Sequence, residues 1–223
     1  MHPMLVQIYE TSSAEEAAAV GRIGVDHVGI LVGSGAYPRE HSIEAAKRIL
    51  SAIPWPSKGS VFCLSADIAL IEDILVSLEP PILHLGASTD LLTPDHVCDL
   101  KKKFNWLVVQ RSIPALDETC IAIAQSYDGI ADMLLVDSHR PGDPQIGALG
   151  VTHSWELDRK IVESVNVQVI VAGGLGPDNV VDAIRKIQPA GVDSKTKTDK
   201  IDGSHTKDLD KVRQFVALAK SMA

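Results

Sequence analysis

Gly173-Gly174-Leu175-Gly176-Pro177-Asp178 comes directly after the apolar run Val167 to Ala172. Glycines let backbone N–H groups approach an anion closely, and a helix opening at Pro177-Asp178 turns its positive pole to the same point. Further on, Ser194-Lys195-Thr196-Lys197 follows the short run Gly191 to Asp193 and supplies ammonium and hydroxyl donors. The two segments together read as a phosphate site of Gly173, Gly174, Ser194, Lys195 and Thr196, although a Gly-Gly pair alone also suits a tight turn. Asp137 ends the apolar run Met133 to Val136. A carboxyl group at such an edge is partly desolvated, which raises its pKa toward general-acid use; its plain alternative is a cap or a partner for Arg140. Tyr9 and Glu10, the loop with Tyr37-Pro38-Arg39, His84, Gln110, Arg111, His139 and Asp193 complete the polar groups after apolar runs. A histidine titrates near neutral pH, but a lone one carries little information. Cys63 has no evident base beside it and reads as packing. Lys101-Lys102-Lys103 reads as a solvated helix end at its negative pole.

These groups need elements to hold them. Apolar runs of strand type recur at Leu5 to Tyr9, His27 to Val32, Ser60 to Leu64, Ile82 to Leu85, Trp106 to Gln110, Met133 to Val136, Val167 to Ala172 and Gly191 to Ser194. Helical patterns fall between and after them: 13–22, 42–52, 67–78, a helix opened by Thr93-Pro94, 116–126, 155–165, 178–187 and 207–220. Ser12 or Ser13, Ser42 and Thr93 are suited to N-caps, with Pro94 at the first helical position. Strands that are apolar without alternation belong to parallel sheets covered on both faces. Eight strand–helix units in one series predict a single (β/α)8 barrel over residues 1–223, with a doubly wound open sheet as the alternative. In a barrel the reactive groups gather at the C-terminal ends of the strands, and a phosphate often lies between the loops after strands seven and eight. That rule joins the glycines to the lysines.

Composition narrows the partners. Lys and Arg number 21 against 29 Asp and Glu, a net charge of −8. Nucleic acid and anionic membrane are gripped by clustered cations, so neither is expected; one small phosphorylated metabolite remains compatible. No run of 18 or more apolar residues and no signal-peptide pattern occurs. Cys63, Cys98 and Cys120 are odd in number and lack CxxC spacing, which predicts a reducing cytoplasm and no zinc cluster. Monomer and homodimer both stay open.

Most of the chain, and most clearly its C-terminal third, resembles the phosphoribosylanthranilate isomerase family, ribulose-phosphate-binding barrels of tryptophan synthesis. Ala172-Gly173-Gly174-Leu175-Gly176-Pro177-Asp178-Asn179-Val180 is similar to the family's AGGLxPxNV segment, and Pro189-Ala190-Gly191-Val192-Asp193 to its PxGVD strand. Lys207-Asp208 resembles the KD that opens its last helix. Leu135-Val136-Asp137 falls on its LLD strand, Gly150 to Trp155 on GxxFDW, and Pro38-Arg39 on SPR. The resemblance implies an Amadori rearrangement without a cofactor or a metal. Asp137 would be the general acid, Arg39 would hold substrate, and His84 and Asp193 would join it there.

Two departures stand out. The family opens KICGxT, with the cysteine as general base; here Gln7-Ile8-Tyr9-Glu10-Thr11-Ser12 puts Tyr9 in that place. A phenol titrates near pH 10, against about 8.5 for a thiol, so Tyr9 is the weaker base. After Asp193, VSSGVE becomes Ser194-Lys195-Thr196-Lys197-Thr198-Asp199, which replaces a glycine by Lys197. An isomerase using Tyr9, Glu10, His84 or a water as base, an enzyme for another phosphorylated sugar, and a binding barrel without catalysis are the three readings left.

Overall fold

A computed structural model describes residues 4–140, 142, 144–146 and 154–222. Gly150 to His153 of the GxxFDW-like segment lie outside these described residues. Eight parallel strands close into a barrel in chain order: β1 Leu5–Ile8, β2 His27–Leu31, β3 Lys58–Cys63, β4 Ile82–Leu85, β5 Val109–Pro114, β6 Met133–Asp137, β7 Gln168–Val171 and β8 Gly191–Ser194. The ring shuts through β1 and β8, with Leu5 opposite Gly191 and Ile8 opposite Ser194. The open-sheet alternative is thereby excluded.

Each strand feeds a helix: α1 Ala14–Arg22, α2 Ile43–Ala52, α3 Ile68–Leu78, α4 Pro94–Lys103, α5 Thr119–Tyr127, α6 Trp155–Ser164, α7 Val180–Ile187 and α8 Leu209–Lys220. Their starts follow from capping side chains, which accept N–H groups that the first helical turn leaves unpaired. Ser13 accepts from Glu16 N at 3.2 Å, Ser42 from Ala45 N at 3.3 Å and Asp67 from Ala69 N at 2.9 Å. The lysines ending α4 each find an acid: Lys101 pairs with Asp132, Lys102 with Asp99 and Lys103 with Glu72.

Successive side chains of a strand point to opposite faces, and this parity separates scaffold from site. Val6, Ile8, Val28, Ile30, Val61, Cys63, Leu83, Leu85, Leu134 and Val136 join the apolar layer beneath the helices. Alternate residues face the barrel interior, where Ile82, Met133, Leu135, Ile170 and Ala172 form one cluster and Tyr9, Leu31, Phe62 and Leu64 another. Asp137 continues the Met133–Leu135 series, His84 and Asp193 occupy the same parity on their strands, and Tyr9, just past the end of β1, joins the interior cluster.

β5 departs from the sequence expectation. It begins at Val109 rather than Trp106, which is half-exposed and sits edge-on to Phe104 at 6.1 Å. Gln110-Arg111-Ser112 disguised the strand because all three are polar, yet all three are buried. Arg111 therefore lies within the strand rather than after it, on the helix-facing side. Its guanidinium donates to the carbonyls of Leu85 (2.8 Å) and Leu92 (3.3 Å) and lies over the Tyr127 ring. Arg111 is part of the scaffold, and its neighbour Ser112 takes the interior position.

Candidate active site

A cavity at the C-terminal mouth of the barrel is lined by Tyr9, Glu10, Phe62, His84, Ser112, Asp137, Gly173, Gly174, Asp193, Ser194, Lys195, Thr196 and Lys197, among others. Of the residues anticipated from the sequence it gathers Tyr9, Glu10, His84, Asp137, Gly173, Gly174, Asp193, Ser194, Lys195, Thr196 and Lys197, whereas Tyr37, Arg39, Gln110, Arg111 and His139 are not part of its lining.

The glycine turn after β7 is braced from below. Gly173 and Gly174 have φ of 84° and 65°, the left-handed region that side chains with a Cβ disfavour. Asn179 spans the turn after them: its Oδ1 accepts Gly176 N–H at 2.9 Å and its Nδ2 donates to the Gly174 carbonyl at 3.1 Å. Ser194 Oγ donates to the Leu175 carbonyl at 2.7 Å, so this hydroxyl ties β8 to the glycine turn. A Cβ on Gly176 would lie 2.7 Å from Lys197 Cβ, which shows how closely the loops after β7 and β8 meet. Lys195 is the more enclosed lysine, at 17% side-chain exposure; Lys197 is 46% exposed and faces Asp178 at 3.5 Å.

The carboxyl groups differ in environment. Asp137 is half-buried at the end of β6, where its Oδ1 accepts Ser138 N–H at 2.7 Å and the Ser138 hydroxyl at 3.2 Å. Asp193 is buried, and desolvation, reinforced by the charge of Asp137, lifts its pKa to about 8. The Gln7 amide and the Lys207 ammonium oppose that rise only in part. This environment favours the neutral form of Asp193.

Tyr9 is enclosed. Its hydroxyl is 2.6 Å from Ser60 Oγ and 3.0 Å from His84 Nδ1, and its ring meets Phe62 edge-on with centroids 5.4 Å apart. Gly29 makes the room: a Cβ there would fall 2.0 Å from the Tyr9 ring. Burial raises the phenol pKa well above its ordinary value, and the Ser60 hydrogen bond only moderates this. Tyr9 thus stays neutral, and the expectation that it serves as base in place of the cysteine meets a greater obstacle than the sequence suggested. His84 stands between Tyr9 and Ser112, whose Oγ lies 2.7 Å from His84 Nε2. Burial pushes the imidazole well below its usual pKa. It links β1 to β5 through hydrogen bonds, a role that the isolated histidine in the sequence did not reveal.

Arg39, in the loop after β2, reaches across to β1. Its Nε donates to Glu10 Oε2 at 2.8 Å, and its Nη2 lies 3.5 Å from Oε1. Lys207, in the KD-like pair, is buried beneath the site. Its ammonium contacts Asp199 and donates to the backbone carbonyls of Tyr9 and Lys195, joining the end of β1 to the loop after β8. Burial lowers its pKa, and Asp199 counteracts this. Among the described residues no group of three His, Cys, Asp or Glu side chains is arranged to hold a metal ion, and no helix is long and apolar enough to cross a membrane.

Comparison with known proteins agrees with this arrangement. The family model described as N-(5'-phosphoribosyl)anthranilate (PRA) isomerase matches residues 8–218. N-(5'-phosphoribosyl)anthranilate isomerase of Haloferax volcanii is 32% identical over 217 residues, covering 97% of this chain and 93% of the relative. The enzyme of Methanocella arvoryzae is 31% identical over 214 residues, covering 95% of each. The structure of N-(5'-phosphoribosyl)anthranilate isomerase from Pyrococcus furiosus superposes with a TM-score of 0.78 at 23% identity, over 98% of this chain and 99% of the other. A phosphoribosylanthranilate isomerase in complex with reduced 1-(o-carboxyphenylamino)-1-deoxyribulose 5-phosphate superposes at 0.76 and 21% identity, over 98% and 99% of the two chains. The chain belongs to the N-(5'-phosphoribosyl)anthranilate isomerase family.

Proposed function

We propose that this barrel isomerises N-(5'-phosphoribosyl)anthranilate to 1-(o-carboxyphenylamino)-1-deoxyribulose 5-phosphate, a step of tryptophan synthesis. Family membership supports the reaction. The observation that carries it to these residues is one cavity holding two unlike carboxyl groups, Asp137 and Asp193, beside a braced glycine turn and Lys195. The solved relative bound to a reduced product analogue supports the same class of ligand.

In this reading the phosphate sits against the N–H groups of Gly173 and Gly174 and the Ser194-Lys195-Thr196 segment. Asp137 protonates the ribose ring oxygen. The bond from that oxygen to C1 breaks as the anilino nitrogen lone pair forms a C1=N iminium. A base then removes the C2 proton, and that electron pair forms C1=C2 while the C=N pair returns to nitrogen. The enolamine becomes the ketose on reprotonation at C1. Asp193 is protonated near neutral pH and can donate a hydrogen bond to a sugar hydroxyl. Arg39 uses Nε and Nη2 on Glu10 and retains further N–H donors for the substrate's carboxylate.

Asp137→Asn tests the assignment. An amide keeps the shape and cannot deliver the proton, so kcat for phosphoribosylanthranilate should fall roughly 10²–10⁴-fold, the ordinary value of general acid catalysis. The reduced product analogue should still bind. Turnover at the wild-type rate in this variant would remove Asp137 from the acid's role.

A further inference from the structure

The chemistry needs a group that accepts the C2 proton, and the residue in the cysteine's place does not supply one. The Tyr9 hydroxyl is committed to Ser60 and His84, and both His84 nitrogens face hydroxyls. Glu10, two residues past the end of β1, lines the same cavity as Asp137, Asp193 and the phosphate cradle. Only 9% of it is exposed. Where the family motif has a glycine, this chain has a carboxylate. The geometry points to Glu10 as the general base of the isomerisation, an assignment that rests on the function proposed above.

Four features carry it. First, Glu10 is oriented: Arg39 grips Oε2 at 2.8 Å, while Oε1 has only longer contacts, 3.5 Å to Arg39 Nη2 and 4.0 Å to Lys195 Nζ. Oε1 keeps a lone pair for a proton on carbon. Second, the backbone around it is pinned. Tyr9 N–H donates to the Ser194 carbonyl at 3.1 Å, Thr11 N–H to the Gly29 carbonyl at 2.8 Å, and the Lys207 ammonium to the Tyr9 carbonyl. Held reacting groups convert an encounter into an effectively unimolecular step. Third, β6 and β1 are three places apart around the ring, with β7 and β8 between them. Asp137 and Glu10 therefore flank the loops that cradle the phosphate and approach a bound sugar from two sides. Fourth, Glu10, Asp137 and Asp193 all line one mouth.

The proton balance closes within this set. Asp137 gives its proton to the ring oxygen, Glu10 takes one from C2 and returns it to C1 of the enolamine, and the C2 hydroxyl gives its proton to the Asp137 carboxylate as the ketone forms. No oxidant or reductant enters.

The test compares wild type, Glu10→Gln and Glu10→Ala with phosphoribosylanthranilate as substrate and the reduced product analogue as a binding probe. For Glu10→Gln, kcat should fall roughly 10²–10⁴-fold while the analogue still binds. Added formate should restore turnover of Glu10→Ala in proportion to its concentration, because a small carboxylate can occupy the vacated volume. Wild-type kcat in Glu10→Gln, or Glu10→Ala that formate leaves inert while the analogue binds, overturns the assignment of the base. Loss of analogue binding matching the loss of rate would reduce Glu10 to a partner that holds Arg39. Wild type that neither turns over the substrate nor binds the analogue would instead overturn the proposed function, and this inference with it.

Discussion

Replacing Asp193 by asparagine should change how stability depends on pH more than it changes the fold. Asp193 is buried, and its pKa is raised to about 8, first by desolvation and then by Asp137. In the unfolded chain the same carboxyl titrates near 4. Below about pH 4 both states hold the proton and the group adds no pH dependence. Between about pH 4 and 8 the unfolded chain releases the proton and the native protein keeps it. The unfolded state then binds fewer protons, so stability falls as pH rises. One proton corresponds to about 1.4 kcal/mol per pH unit, or roughly 5 kcal/mol across the window. Asparagine matches the neutral native form and has no proton to lose. Urea unfolding of wild type and Asp193→Asn at about pH 5, 6, 7 and 8 isolates the effect, since titrating groups not coupled to Asp193 cancel in the difference. The difference should move in favour of the variant by about 1.4 kcal/mol per unit, then level off above pH 8. Parallel curves over that range would mean that Asp193 is ionised in the native protein, and would remove it as a hydrogen-bond donor to substrate.

Lys195→Ala should weaken binding of the reduced product analogue by about 1.5–3 kcal/mol, the scale of a charged hydrogen bond. Lys197→Ala should cost well under 1 kcal/mol, as expected of a largely solvated ammonium facing Asp178; calorimetric titration of both variants decides this. Asn179→Ala removes both braces of the glycine turn and should lower unfolding free energy by about 1–2 kcal/mol, with analogue affinity falling as well. His27, at the start of β2, is held to a pKa of about 4 by burial. Between about pH 6.5 and 4 the unfolded chain gains a proton that the native protein refuses, so stability falls as pH drops. His27→Gln should flatten that acid limb by up to roughly 3 kcal/mol in thermal or urea unfolding.

The barrel was legible because parallel strands buried on both faces show as apolar runs, and caps such as Ser13 and Ser42 announce the helices between them. β5 was misplaced because its buried polar residues find their partners in groups remote in the chain. Nothing near Arg111 reveals that the Leu85 and Leu92 carbonyls and the Tyr127 ring await it. Once β5 is correctly registered, strand parity alone sends Arg111 outward and Ser112 inward. Asp137, Asp193 and the glycine pair were readable for the complementary reason: each ends an apolar run, where the barrel's geometry gives position directly. The link between Glu10 and Arg39 had no such signature, since 29 residues separate two surface-type side chains.

Tyr9 and Glu10 are better understood together than singly. Residue 9 points into the barrel, so a large ring there must be accommodated by the interior. Gly29 leaves its volume open, and Ser60 and His84 meet the hydroxyl. Such enclosure makes the phenol a good part of the cavity wall and a poor base, because burial that satisfies its O–H also penalises its anion. Residue 10 lies beyond the last residue of β1 and escapes the strict in–out alternation of the strand. Its carboxylate can face the same mouth while Arg39 and Lys195 offset its desolvation. Tyr9 is thus a wall residue of the cavity, and Glu10 after it is a charged residue at its mouth. The requirement for a proton acceptor at this corner of the site is then met one position later in the chain.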